Sequence, residues 1–225
     1  MEDSMSLFLE ALAKYLAGAF LVSLFVFVPA GDISFINGWI FISAMFIPIL
    51  IIGCCLLLKS PELLRKRLNG TEVNQKQNAI VKASGLVFVI SFVISGIDHR
   101  FLWSKMPLSI SIASAIILLF SYILYWMVLR VNDFLSRTIE IQNKHQVVDT
   151  GPYSIVRHPM YLATTIMFLA IPLTLGSLLG FSVMLAYIPL IVRRIKLEEE
   201  FLVSNLPGYI QYRDKVKYRL VPFIW

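Results

Sequence analysis

Apolar residues fill the chain in long runs that short polar segments separate. A helix crosses a bilayer with about 20 mainly apolar residues. Four runs fit this length, at residues 15–28 (extending back towards residue 7), 39–58, 80–97 and 108–129. A fifth stretch, residues 160–192, is too long for one span, and Pro172, Gly176 and Gly180 interrupt it. This stretch predicts a helical hairpin that enters the membrane and returns.

Composition supports the same class of protein. Hydrophobic residues make up 58% of the 225 positions and charged residues 15%, against about 25% charged residues in an ordinary soluble domain. These figures exclude a soluble globule, a disordered chain, a disulfide scaffold, collagen and a coiled coil. We therefore predict an all-α integral membrane protein with four transmembrane helices, a C-terminal transmembrane helical hairpin and short cytoplasmic helices.

The net charge of +6 is explained by where the cations lie. One group follows the second run: Lys59, Arg65, Lys66, Arg67, Lys76 and Lys82. A second follows the fourth run: Arg130, Arg137, Lys144 and Arg157. Seven more cations lie within residues 193–219, and the loop after the first run has none. The positive-inside rule places these regions, both termini and any site they form in the cytoplasm. A single crossing at 160–192 would put the last seven cations outside, so charge also favours the hairpin.

Polar character divides the chain into two parts. Residues 1–130 are predicted to be a transmembrane scaffold with four spans. Residues 131–225 hold most of the polar groups, and we expect any active site there, with the hairpin at 160–192 and amphipathic helices at the C-terminus. The hairpin brings the polar segments before and after it to one membrane face.

The first polar segment contains Arg157 and His158, directly before Pro159. Proline suits the first turn of a helix and favours an extended residue before it. Both side chains are therefore expected just ahead of a helix N-terminus, which favours an anionic group. The alternative is an interfacial arginine that reaches lipid phosphate, with Tyr153 and Tyr161 in an aromatic belt.

The second polar segment has three consecutive carboxylates, Glu198 to Glu200, after a predicted membrane helix. Arg194 lies four residues before Glu198 and can pair with it on one helix face. The alternative is a solvated amphipathic helix on the membrane surface. His99 is interpreted as an interface residue and His145 as loop surface, and three dispersed histidines offer no metal spacing. Cys54 and Cys55 are adjacent in an apolar run and offer neither a disulfide framework nor a zinc site.

Four short motifs in these segments resemble one known family. They are Gly151-Pro152-Tyr153, Val156-Arg157-His158-Pro159-Met160-Tyr161, Arg194 with Glu198-Glu199, and Pro207-Gly208-Tyr209 with Tyr212. The set resembles the isoprenylcysteine carboxyl methyltransferase family, whose superfamily includes membrane phospholipid methyltransferases. It covers roughly residues 140–225. Ala163 stands where the family often has glycine, and Pro207 where it has an aromatic residue.

The resemblance implies S-adenosylmethionine as cofactor. The cofactor-binding residues it implies are Gln146, Val147, Tyr153, Arg157, His158, Pro159, Tyr161, Leu162, Glu198 and Glu199, and the catalytic residues are Arg194 and His158. A glutamate is expected to accept hydrogen bonds from the ribose or the ammonium group, and Arg157 or the following helix N-terminus to hold the cofactor carboxylate.

The implied activity is that of a protein-S-isoprenylcysteine O-methyltransferase, which methylates a carboxylate of a lipophilic substrate that enters from the bilayer. A phospholipid amine and a small thiol are alternative acceptors, and an NADPH-dependent sterol-reductase-like enzyme or a non-catalytic adaptor are alternative functions. The expected partners are that substrate and membrane lipid, without nucleic acid or metal. The membrane would be the cell membrane of a prokaryote or the endoplasmic reticulum of a eukaryote.

Overall fold

The computed structural model describes residues 2–69, 75–135 and 146–225, and all regular structure in these ranges is helical. The four predicted spans are confirmed, each as a longer helix. They are α1 (Glu2–Ala30), α2 (Ile36–Lys59), α4 (Gln75–Phe101) and α5 (Leu108–Val131), and a short helix α3 (Pro61–Leu68) follows α2. The predicted features at Arg137, Lys144 and His145 lie outside the described residues.

The C-terminal part contains the predicted hairpin. A single 3-10 turn (Gly151–Ser154) precedes α6 (Pro159–Thr174), α7 (Leu178–Met184), α8 (Tyr187–Asn205) and α9 (Tyr209–Lys215). The chain reverses between α6 and α7 at Gly176, whose φ of +79° is a conformation that glycine adopts without strain. The returning arm differs from the prediction in two ways: it breaks between α7 and α8, and it continues past residue 192 to Asn205.

Five helical segments among the described residues are long and apolar enough to span a bilayer. They are Met5–Ala30, Ile36–Lys59, Gln75–Phe101, Leu108–Val131 and Leu178–Asn205, with the shorter apolar helix α6 beside them. The protein is therefore an integral, multi-pass membrane protein.

The helices alternate in direction, so their ends meet at two faces. At one face the Asn37 amide donates to the Ser111 hydroxyl at 3.1 Å, which joins the starts of α2 and α5. At the other face one apolar cluster contains Leu56 of α2, Leu63 of α3 and Tyr209 of α9. The described basic segments share this second face, which we call the polar face; its cytoplasmic orientation stays a prediction.

Asp98, at the end of α4, fastens the hairpin turn at the first face. Its side chain is buried and accepts hydrogen bonds from the Ser104 backbone N–H at 2.6 Å, the Ser104 hydroxyl at 2.6 Å and the Ser177 hydroxyl at 2.5 Å. Ser177 in turn caps α7 by accepting from the Gly180 N–H at 2.8 Å. Because a buried carboxylate is costly without such donors, these bonds fix the turn against α4.

α1 and α4 pack closely where α4 has a glycine. Gly96 is buried, and a Cβ there would overlap the carbonyl oxygen of Val26 and the backbone nitrogen of Ala30. Small residues allow such close backbone approach between membrane helices. The position of α1 therefore depends on the absence of a side chain at Gly96.

We expect Gly96→Ala to destabilise the protein by about 1–3 kcal/mol, since an added methyl group must push two backbones apart. Gly85→Ala is the matched control on α4, because a Cβ there has no neighbour within 4 Å. The control should be neutral, or more stable by up to about 1 kcal/mol because alanine favours helix. Thermal unfolding in detergent measures both, and equal melting temperatures would contradict the close packing.

Candidate functional site

Arg157 and His158 lie immediately before α6, as predicted. α6 begins at Pro159, and both preceding residues are buried. The Arg157 N–H donates to the Tyr218 carbonyl and the His158 N–H to the Arg219 carbonyl, each at 2.9 Å. The residues after α9, 216–225, form a C-terminal tail. This tail therefore pairs with the turn before α6 through backbone hydrogen bonds and holds the turn extended.

Glu199 of α8 binds three cationic or protonatable side chains. Its Oε1 accepts from Arg157 Nε at 2.6 Å and lies 3.3 Å from His158 Nε2, and its Oε2 accepts from Arg219 Nε at 2.7 Å. Arg157 Nη1 also donates to two tail carbonyls, at 2.8 and 3.0 Å. The Glu199 cluster (Arg157, His158, Glu199 and Arg219) thus joins α8, the turn before α6 and the tail.

A second set of hydrogen-bonded side chains includes Glu198, the residue before Glu199 on α8. Tyr161 donates its hydroxyl to Glu198 Oε2 at 2.5 Å and accepts from Arg194 Nε at 3.0 Å. The predicted association of Arg194 with Glu198 is thus found, with the Tyr161 hydroxyl between them. The His158 ring stacks on the Tyr161 ring at 5.7 Å between centroids, so this set of side chains and the Glu199 cluster are in contact.

These groups border a cavity of about 340 Å³ at the polar face. The predicted residues that line it are Gln146, Val147, Tyr153, Arg157, His158, Tyr161, Arg194 and Glu198. Apolar side chains line it further into the membrane region: Val81, Phe168, Tyr187 and Ile191. The cavity thus has a polar part beside the turn and an apolar part between α4, α6 and α8.

Three predicted cofactor-binding residues do not line this cavity. Pro159 starts α6, and Leu162 packs among apolar residues of α7 and α8. Glu199 lies behind the cavity wall and directs both oxygens at cations. Binding of a cofactor by these three residues stays a prediction.

Several lining residues carried no assigned role in the sequence. Arg67 of α3 and Val81 of α4 come from the part interpreted as scaffold alone. Tyr209 and Tyr212 belong to the family-like motifs, and they line the cavity beside Tyr153. Arg67 is one of three cations in the last turn of α3, and its sequence context does not mark it as a site residue, because only tertiary packing brings it to the cavity.

Three buried tyrosines form another part of the cavity wall. Burial raises the pKa of Tyr153, Tyr209 and Tyr212, so all three phenols are protonated at neutral pH. Tyr212 donates to the Tyr153 carbonyl at 2.8 Å, and the Tyr153 hydroxyl accepts from the Asn132 amide at 2.8 Å. The buried Tyr209 hydroxyl has no hydrogen-bond partner among the described residues.

His99 does not line this cavity, and the described residues form no metal-binding group. His99 is at the opposite face, where its Nε2 lies 3.1 Å from Asp32 Oδ2 and its ring stacks on Phe35. Within the described ranges no group of three or more histidine, cysteine, aspartate or glutamate residues is placed to hold a metal ion.

Comparisons with known proteins show what the chain is similar to. Residues 108–207 match the family model of phospholipid methyltransferases. The fold is similar to that of the eukaryotic intramembrane Ras methyltransferase ICMT (isoprenylcysteine carboxyl methyltransferase), with a TM-score of 0.57 and 19% identity over 95% of this chain and 77% of that chain. No curated protein sequence matches the chain.

The fold and the family match support a membrane methyltransferase. The predicted resemblance to the superfamily of isoprenylcysteine carboxyl methyltransferases and membrane phospholipid methyltransferases is confirmed.

We expect Glu199→Gln to destabilise the protein by about 3–5 kcal/mol, because it leaves the buried Arg157 without its counter-charge. The matched control is Glu200→Gln on the same helix, where the side chain is exposed and the cost should be within about 0.5 kcal/mol. Thermal unfolding in detergent compares the two. Equal stability would show that the Glu199 cluster does not hold the turn.

Proposed function

We propose that this protein is an S-adenosylmethionine-dependent membrane methyltransferase that methylates a carboxylate of a lipophilic substrate, as a protein-S-isoprenylcysteine O-methyltransferase does. The observation that carries the proposal is a cavity in which Glu198, Tyr161 and Arg194 border a polar part that opens into an apolar part. The polar face is proposed to be cytoplasmic, where the cofactor is found.

The lining residues fit this cofactor. It carries an ammonium, a carboxylate, two ribose hydroxyls, an adenine and a sulfonium, so it needs both charge signs and aromatic faces. Glu198 offers a carboxylate, Arg157 and Arg194 offer cations, and Tyr153 and Tyr161 offer rings for adenine or the sulfonium. The cavity volume lies within the range of about 300–1,000 Å³ usual for small-molecule sites.

Methyl transfer depends mainly on positioning the methyl donor and the acceptor relative to each other. When bound, the cofactor would supply an activated methyl group on a sulfonium for transfer to an in-line nucleophile, with S-adenosylhomocysteine as the leaving group. A carboxylate acceptor needs no general base, and correct alignment supplies much of the rate. Glu198 is held in one orientation by Tyr161, and His158 is held by Glu199 and by stacking on Tyr161. The proposed work of these residues is to bind the two reactants in line and to exclude water.

The apolar part of the cavity supports a lipophilic acceptor. Phe168 lies nine residues after the start of α6, which at 1.5 Å per residue is about 14 Å along the helix axis. Tyr187 of α8 lies at the same depth, with its ring centroid 5.2 Å from that of Phe168, and Ile191 lines the cavity one helical turn nearer the polar face. An acceptor that enters from the bilayer would place its chain there and its reacting group in the polar part of the cavity.

A phospholipid amine is the second candidate acceptor, because the matched family is that of phospholipid methyltransferases. An amine must lose a proton, and His158 is the nearest candidate base. His158 Nε2, however, faces Glu199, and the side chain is buried. The geometry therefore favours the carboxylate acceptor.

We expect S-adenosylhomocysteine to bind the purified protein in calorimetry, and both Glu198→Gln and His158→Ala to weaken binding at least about tenfold, because each removes a polar contact or its support. The exposed Glu200→Gln is the control and should bind like the wild type. NADPH should not bind; tighter binding of NADPH than of S-adenosylhomocysteine would favour a reductase. Unchanged affinity in both variants would contradict the site.

The acceptor is identified by transfer of a radiolabelled methyl group to three candidates: a prenylcysteine analogue, phosphatidylethanolamine and a small thiol. We expect the prenylcysteine analogue to be methylated, because it combines a carboxylate with a chain that suits the apolar part. Labelling of phosphatidylethanolamine or of the thiol alone would contradict the carboxylate assignment.

A further inference from the structure

The C-terminal tail contains a tight turn that presents two apolar side chains. The N–H groups of Leu220 and Val221 both donate to the Trp225 carbonyl, at 2.9 and 3.1 Å, and the Trp225 N–H donates back to the Val221 carbonyl at 3.0 Å. Between them lie Phe223, which is 87% exposed, and Ile224, which is 80% exposed. We call these two residues the tip. Because backbone hydrogen bonds close the turn, the tip is held in a fixed position.

The backbone of Phe223 is strained. Its φ of +65° is a left-handed conformation that is unfavourable for a residue with a Cβ and that glycine adopts freely. The phenyl ring contacts the Tyr218 ring, with 5.3 Å between centroids, and is otherwise exposed. Strain of this kind persists where surrounding contacts offset it. Since little of the folded chain packs on this ring, we expect a contact outside the chain.

The tip lies at the level where the apolar helices meet the polar face. Val221 and Trp225 pack in one apolar cluster with Ile191 and Ile195 of α8, which belong to a segment that is apolar enough to span a bilayer. The tail also pairs with the turn directly before α6, where another apolar helix begins. The tip is therefore next to the membrane boundary.

Exposed cations occur on the two segments that meet at this boundary. Arg193 and Lys196 lie on the exposed side of α8, and Lys217 precedes the tip in the tail. Lysine and arginine at a membrane boundary direct their charges to lipid phosphates, while apolar side chains beside them enter the acyl region. This combination of charge and apolar surface matches the boundary between lipid headgroups and acyl chains.

We propose that the tip inserts into the bilayer at the polar face, with Phe223 and Ile224 at the headgroup–acyl boundary, and anchors the tail there. Arg219 connects this anchor with the candidate site, because its Cζ lies 5.3 Å from the centroid of the Trp225 ring and its Nε donates to Glu199. Lipid contact at the tip thus supports the Glu199 cluster and the turn before α6. This inference does not depend on the proposed methyltransferase activity.

Site-directed spin labelling of the full chain in phosphatidylcholine vesicles tests the insertion. A nitroxide is attached at Phe223→Cys or at Ile224→Cys, after Cys54→Ala and Cys55→Ala have removed the other thiols. We expect both labels to be more accessible to oxygen, which concentrates in lipid, than to a water-soluble nickel chelate. Thermal unfolding verifies that each labelled protein is folded.

Two further label positions calibrate the accessibility scale. Ile188→Cys, an exposed position of the membrane-spanning segment, should report lipid, and Asp214→Cys, an exposed position of α9, should report water. Tip labels that behave like the Ile188 label support the proposal. Greater accessibility to the nickel chelate would place the tip in water, and low accessibility to both reagents would place it in a protein contact, such as one with a second copy of this chain. Either result would overturn the proposal.

Hydrogen exchange in lipid nanodiscs tests the anchoring. Phe223→Asp should expel the tip from lipid, because a charge is costly there. We expect amide exchange at Arg157 and His158, whose N–H groups donate to tail carbonyls, to become about tenfold faster, since burial of one phenyl side chain is worth at least that factor. Ile33→Asp is the matched control, an apolar position with 78% exposure at the opposite face, and should leave this exchange unchanged.

Equal exchange in the wild type and in Phe223→Asp would overturn the anchoring. An equal acceleration in Ile33→Asp would also overturn it, because the effect would then be a general loss of stability. Neither measurement involves S-adenosylhomocysteine, whose binding tests the proposed function separately.

Discussion

The Glu199 carboxylate holds together three chain segments that are distant in sequence. It lies on the last part of α8, where the helix dipole gives an anion no support, and it is nearly inaccessible to solvent. Its stability there comes from Arg157, His158 and Arg219, which approach both oxygens. The dependence is mutual, because Arg157 is equally buried and would be costly without a counter-charge. The returning arm of the hairpin, the turn before α6 and the C-terminal tail can therefore reach this geometry only together.

The shape of the cavity follows from this cluster. The tail pairs with the turn through the backbone of Arg157 and His158, and Leu220 and Trp225 pack near the base of α8. His158 is then positioned to stack on Tyr161, which in turn orients Glu198. The Glu199 cluster thus supports the cavity wall from behind. Glu198, one residue earlier on α8, faces the cavity, where a ligand would lie.

Hydropathy and cation placement were sufficient to predict the helical spans and the hairpin, because both depend on the bilayer rather than on particular contacts. The Arg157-His158-Pro159 turn was also predictable, since proline restricts its own backbone and that of the preceding residue. The break between α7 and α8 was not predicted. It occurs at Leu185 and Ala186, directly ahead of Pro189, which has no N–H to donate to the Leu185 carbonyl.

The candidate site was also predictable only in part from the sequence. The family-like motifs indicated several residues that line the cavity. They did not indicate that Glu198 faces the cavity while Glu199 binds Arg157 and Arg219, because this depends on which side of α8 faces the tail. Arg219 and Arg67 were not assigned because their partners, Glu199 and Tyr125, are far away in sequence. A periodic pattern indicates which face of a helix is buried, and it does not indicate which distant side chain will meet it.

Photocrosslinking of radiolabelled S-adenosylmethionine to the purified protein would test the central claim most directly. Ultraviolet irradiation should label peptides within residues 146–161 and 194–212, where the polar part of the cavity lies, and excess S-adenosylhomocysteine should suppress that label. Labelling that is not suppressed, or that falls outside these two segments, would contradict the assignment of the cavity as a methyl-donor site.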